Sequence, residues 1–400
     1  MTTLLLSHFT ATSCLGHGLT ATFEALAAAR GGLAPCRFES VVLETYIGEV
    51  AGVDAVRLPA QLQAYNCRNN RLAQLGLEQD GFIGAVRESA ARWGQGRLGV
   101  FVGTSTSGML ETELAYRMRA PDGALPEQFE YAHHHNSFSV SDYVRRVLGI
   151  EGPAATLCTA CSSSAKAFAV AQRMIGAGLI DAAVVGGVDS LCLTTLYGFL
   201  SLQLSARTPC RPFDVARDGL SIGEAAAFVL LERAPAALGE HDVILLAAGE
   251  SSDAHHMSNP HPQGAGARMA MRRALDAAAV AVSAIDYINL HGTGTPSNDS
   301  AESRAVTALF GTDTPCSSTK GATGHTLGAS GALEAVICAL ALRHELLPGG
   351  LNVARRDPRL ESNYLTENRH GRLRYVLSNS FGFGGANCSL LFGRALQERV

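Results

Sequence analysis

The chain has 400 residues, 47% hydrophobic and 17% charged, with 32 Lys+Arg against 36 Asp+Glu and a formal net charge of -4. Such apolar content excludes a disordered chain, and the near-neutral balance argues against a nucleic-acid binder. The length fits two or three structural units, or two halves sharing one core.

The opening residues carry no basic side chain before Arg30, so they lack the charged start of a signal peptide. No run approaches the roughly 18 apolar residues of a membrane span. The 10 cysteines have no framework spacing and read as reduced thiols of a cytoplasmic protein. Only Cys158 and Cys161 form a C-x-x-C, and no second pair follows to make a zinc ribbon. The chain uses Arg almost everywhere; its lysines are Lys166 and Lys320 alone. A lysine kept against that bias points to a need for a compact ammonium.

In chain order, short apolar runs predict strands at Leu98–Gly103, Ala182–Gly186, Ala225–Leu231, Val243–Ala248, Tyr287–Leu290 and Leu390–Phe392. Ala-rich stretches predict helices over 163–177, 265–280 and 329–345. This alternation indicates an α/β protein with helices covering parallel or mixed sheets. A faint internal echo pairs the helix opened by Cys161 with that opened by Lys320-Gly321. Each is followed by a glycine-led strand, Gly219–Leu231 and Gly382–Phe392, so two similar halves are expected, 1–240 and 241–400.

Four segments are dense in small, polar and reactive residues. In Thr156–Ala165, a strand-like approach ends in a turn and Cys161 begins a helix. A thiol there feels the positive helix end, which lowers its pKa, and the first-turn amides make half of an oxyanion hole. The alternatives are a small buried Cys and a redox C-x-x-C. In His291–Asp299, a His ends a strand in a Gly/Thr loop, a cleft position rather than a core one. Ser317–Gly331 holds Lys320 and His325 but lacks a phosphate-binding loop pattern. In Asn379–Asn387, aromatics alternate with glycines, as in a mobile lid or a plain hairpin turn. His133, His134 and His135 alternate in direction and make a poor metal cage.

One thiol and two neutral imidazoles suit decarboxylative carbon-carbon bond formation. The thiolate takes an acyl group from a thioester. The imidazoles then stabilise charge developing on a carbonyl oxygen as carbon dioxide leaves; this needs hydrogen-bond donors, not a metal.

Thr159-Ala160-Cys161-Ser162-Ser163, His291-Gly292-Thr293-Gly294-Thr295, Lys320-Gly321 with Gly324-His325, and Asn379–Gly385 resemble, in order and spacing, the elongating β-ketoacyl acyl-carrier-protein synthases. The resemblance implies a thiolase-like fold of two pseudo-symmetric halves in αβαβα layers. It implies Cys161 as the acyl-carrying nucleophile, and His291 and His325 binding the malonyl carbonyl. Lys320 would support His325, with Glu302 as the acid near that lysine. The amides of Cys161 and Phe383 would form the oxyanion hole, with Phe383 as gate. Thr293 and Thr295 would contact phosphopantetheine, which the acyl carrier protein supplies; no cofactor of the chain's own is implied. Arg68 and Arg71 lie where the family meets its acidic carrier protein, or else form an ordinary exposed basic face.

Finer similarity in Asn66–Asn70 and Gly103–Gly108 is to synthases of aryl-polyene or xanthomonadin-type pigments. That implies a homodimer or a heterodimer with a chain-length-factor-like subunit. The competing readings are a non-catalytic subunit of that kind, a cysteine hydrolase using Cys161 with His291, and a degradative thiolase with Cys388 as second cysteine. Cys161 and both histidines speak against the first, the second histidine and Lys320 against the second, and the strand context of Cys388 against the third.

Overall fold

The computed structural model describes residues 2–394; Met1 and 395–400, the extremes of the two expected halves, lie outside them. Ten strands form two sets of five with one topology. In the first set, the strand Leu4–Ser13 pairs antiparallel with Ala225–Arg233. That strand pairs antiparallel with Ala182–Asp189, and Leu98–Gly103 and Ala154–Leu157 follow in parallel. In the second set, Val243–Ser252, Ala386–Arg394, Tyr375–Phe381, Tyr287–Asn289 and Pro315–Ser317 repeat the order and every relative direction. The two sets join through Leu4 and Leu5 against Leu245 and Ile244. The faint sequence echo is therefore a true repeat of fold. Ala154–Leu157 is an edge of the large sheet, and all four of its residues are half-exposed.

Two helices lie between the halves of this sheet, Ser163–Gly176 and Ser330–His344. The second is buried at every residue from Ser330 to Leu342, which explains why it lacks an amphipathic pattern. It is also, within Leu327–His344, the only segment among the described residues long and apolar enough to cross a membrane, and 89% of that window is buried inside the protein. Outer helices cover the far faces: Arg68–Leu77, Phe82–Trp93 and Phe138–Leu148 on one side, Ala265–Ala278 and Pro296–Phe310 on the other. The layers run αβαβα.

The predicted strand Leu98–Gly103 has its predicted bounds, whereas Ala225–Leu231, Val243–Ala248 and Leu390–Phe392 are pieces of longer strands. Their unrecognised ends contain Gly249, Ser251, Ser252, Asn387 and Ser389. These read as loop because ladder pairing, not apolarity, holds them extended.

The central helices touch at their first turns. A Cβ on Gly331 would lie 2.5 Å from the Ala165 amide nitrogen, and the Ala332 N–H donates to Ser164 Oγ at 2.9 Å. Gly331→Ala should therefore push the helices apart and destabilise the protein by about 1–3 kcal/mol. Urea unfolding measures this, and an unchanged midpoint would show the contact to be soft.

Candidate active site

Each central helix follows the third strand of its half, so the duplicated topology delivers two helix starts to one place. Cys161 stands at the first. It does not begin the helix, as the sequence led us to expect; the helix begins at Ser163 with Ser162 as cap. The reason is the turn before it. Ala160 takes φ +52°, a left-handed conformation that is strained for a residue with a Cβ. The Ser163 side chain accepts the Thr159 N–H at 2.9 Å and closes that turn. The thiol thus projects from an elbow ahead of the helix axis.

The Cys161 sulfur and nitrogens of His291 and His325 lie within 4.8 Å of one another, all three side chains buried. The two imidazoles meet edge to face, with ring centres 5.2 Å apart. Such a set could hold a soft cation, but the Lys320 ammonium against His291 opposes one.

The hydrogen bonds assign the tautomers. The Leu327 N–H donates to His325 Nδ1 at 3.2 Å, so the neutral ring carries its proton on Nε2. The Lys320 ammonium donates to the His291 carbonyl at 2.6 Å and lies 3.5 Å from His291 Nδ1, which leaves Nε2–H on that ring too. Burial, with Lys320 adding to it, pushes both imidazoles well below their ordinary range, and His325 lowers His291 further. Both rings are neutral donors.

The sequence expectation for the thiol is corrected. Burial pushes Cys161 up to about 11, although Lys320 and the amides of Phe383 and Cys161 pull it down. Those two amides reach the sulfur, which is where the resemblance puts an oxyanion hole. Phe383 sits in the turn of a hairpin, between Tyr375–Phe381 and Ala386–Arg394, and its ring lies 5.8 Å from Phe199. Gly384 and Gly385 make that turn with φ +79° and +77°. Thr293 and Thr295 share a hydrogen bond of 2.9 Å and line the cleft with Cys161, His291, His325 and Phe383.

Glu302 and Lys320 do not pair. Glu302 accepts the amides of His291 at 2.8 Å and Gly292 at 2.7 Å, and Asn379 donates to it at 3.2 Å. It fixes the histidine loop. The acid that pairs with Lys320 is Glu334, one turn into the second central helix. Sequence reasoning missed Glu334, although a lone carboxylate within the apolar run 331–342 was a signal. Burial pushes Glu334 up to about 7 against the pull of Lys320.

Arg68 is a second correction. Its side chain is 1% exposed and bonds Glu224, Asp54 and Glu49, stacking on Phe38. A buried charge survives only when paired, so Arg68 is a structural tie, neither an exposed face nor a free docking cation. Arg71 is 18% exposed and is engaged by Asp54 and Asn66. His133 meets the Glu130 carboxylate, His134 accepts the Glu130 N–H and His135 meets the Thr112 hydroxyl, so the three rings are held by different groups. Cys388 is packed in the central core, away from the cleft.

A protonated thiol predicts a simple result. Iodoacetamide alkylation of Cys161 should accelerate from pH 7 to pH 10 without levelling, because the thiolate fraction grows throughout that window. A plateau below pH 8 would show a resting thiolate instead.

Comparison with known proteins places the chain. Residues 70–237 match the beta-ketoacyl synthase N-terminal domain and 242–354 the C-terminal domain. The chain is similar to a chain of the complex of the ketosynthase ApeO with its chain length factor ApeC from Xenorhabdus doucetiae: TM-score 0.90 and 39% identity, covering 98% of both chains. It is similar to the ishigamide ketosynthase/chain length factor at TM-score 0.86 and 27% identity, over 99% of this chain and 100% of that one. A mitochondrial 3-oxoacyl-(acyl-carrier-protein) synthase of Arabidopsis thaliana is 40% identical over 63% of this chain and 59% of its own length. The chain thus spans less than two thirds of the curated relatives it matches. The fold is thiolase-like, and the chain belongs to the β-ketoacyl synthase family.

Proposed function

We propose that the protein catalyses decarboxylative condensation of an acyl group on Cys161 with malonyl carrier protein, giving a β-ketoacyl carrier protein and carbon dioxide. The observation that carries this is the convergence of Cys161 with two neutral imidazoles whose Nε2–H groups face one cleft. In the first half-reaction the sulfur attacks the incoming thioester, with the oxyanion held by the amides of Cys161 and Phe383. The carrier's sulfur leaves with the thiol proton. In the second, the malonyl thioester oxygen accepts from His291 and His325 as the C–CO2 bond breaks; the enolate carbon then attacks the acyl carbonyl, the C–S bond to Cys161 breaks, and the released thiolate takes a proton from water to restore the thiol. Thr293 and Thr295 line the side from which phosphopantetheine enters, and Phe383 gates the acyl side. Residues 1–240 then supply the nucleophile and 241–400 the histidines and lysine.

The similarity to two ketosynthase/chain length factor complexes supports a chain-length-factor-like partner in preference to a second copy, and pigment-type or polyketide elongation in preference to housekeeping fatty-acid synthesis. The free cysteines fit a reducing, cytoplasmic setting. Exposed Tyr116, Tyr131, Tyr197 and Leu200, with the open edge Ala154–Leu157, offer an apolar surface for such a partner. A purely non-catalytic role is disfavoured by the intact thiol and imidazoles.

Intact-protein mass spectrometry with acyl-loaded carrier proteins, saturated, polyunsaturated and aryl-primed, should show one acyl group on Cys161, discharged when malonyl carrier protein arrives. No loading from any primer, with and without the partner, would sink the reading. Cys161→Gln should abolish condensation yet retain malonyl decarboxylation, since the amide stands in for the acylated thiol. His325→Ala should slow decarboxylation by about 100-fold or more, read as carbon dioxide release.

A further inference from the structure

Asp189 ends the strand Ala182–Asp189, is fully buried, and has no part in the chemistry just described. Its Oδ1 accepts four hydrogen bonds: from the amides of Ser105 at 2.7 Å and Thr106 at 2.8 Å, and from the hydroxyls of Thr104 at 2.7 Å and Thr106 at 2.8 Å. Its Oδ2 is buried without a partner. A buried carboxylate oxygen with nothing to bond costs stability, so the group is expensive for a mere turn.

The repeated topology supplies a comparison, although the two carboxylates stand on different elements. The loop after the second strand of the second half is the histidine loop, and Glu302 holds its successive amides, those of His291 and Gly292. The corresponding loop of the first half is Thr104–Ser107, and Asp189 holds its successive amides, those of Ser105 and Thr106. One carboxylate clamp serves each half. The Asp189 loop reaches the reacting sulfur from the other side: Thr104 and Ser105 line a cavity with Cys158, Cys161, Thr195 and Phe199. Gly328 leaves room for it, because a Cβ there would lie 2.8 Å from both Asp189 Oδ2 and Ser105 Oγ.

We propose that Asp189 is a positioning residue for the acyl half-reaction: it fixes the wall against which the acyl group lies on Cys161, as Glu302 fixes the histidines for decarboxylation. This rests on the condensing function proposed above.

The test separates the two half-reactions in the full chain. Asp189→Ala should slow acyl transfer to Cys161 about 10-fold, since the wall is no longer held. Malonyl decarboxylation, measured in the Cys161→Gln background, should stay within about 2-fold of its parent. Asp189→Asn keeps the Oδ1 acceptor and should recover most of the loading rate. Thr106→Val removes one donor while leaving the carboxylate; it should show the same one-sided loss, smaller, and decides the matter if Asp189→Ala does not fold. Equal losses in both half-reactions, or wild-type loading in Asp189→Ala and Thr106→Val, would overturn the inference. If the unaltered protein loads no acyl group, the condensing function itself fails and this inference falls with it.

Discussion

Backbone contact between the two central helices, at Ala165 and Gly331, is the constraint on which the site depends. Neither half holds a complete set of reactive groups. The thiol belongs to the elbow before one helix, and the second imidazole, the lysine and its carboxylate belong to the approach and first turn of the other. A single methyl group at Gly331 would separate them. The glycine is thus a requirement of chemistry expressed as packing, and the buried helix behind it makes the spacing stiff.

Neutral donors, not free charges, then dominate the cleft. Lys320 is spent on Glu334 and on the His291 carbonyl, so its role is to orient one ring and hold the local potential positive. Water exclusion raises the thiol and lowers the imidazoles by the same desolvation. The resting site is therefore close to uncharged at its reacting atoms, and charge arises only as bonds rearrange, where aligned N–H groups await it.

Much of this was legible in the sequence, for identifiable reasons. Cys161, His291 and His325 stand in loops too small and polar for a core, and chemistry restricts their residue types. The central helices showed through their Ala content. What was hidden is pairing at a distance. Glu334 lies on a helix with no polar face, and nothing local links it to Lys320. Glu302 was placed in the right neighbourhood but on the wrong partner, because it binds backbone amides, which leave no mark in a residue pattern. Arg68 looked exposed since three acidic partners, two from a separate loop and one from the strand region near residue 224, reach it only in the fold. The turn strain at Ala160, which displaces the thiol from the helix start, was equally invisible; alanine gives no hint of a positive φ.

The strand Ala154–Leu157 ends four residues before the nucleophile and keeps one side of its backbone unpaired. If the partner proposed above completes that edge, it also stiffens the elbow, and assembly and reactivity are then coupled through a few peptide bonds. Dilution of such a pair would then behave as an inhibitor, making specific activity per chain a function of protein concentration.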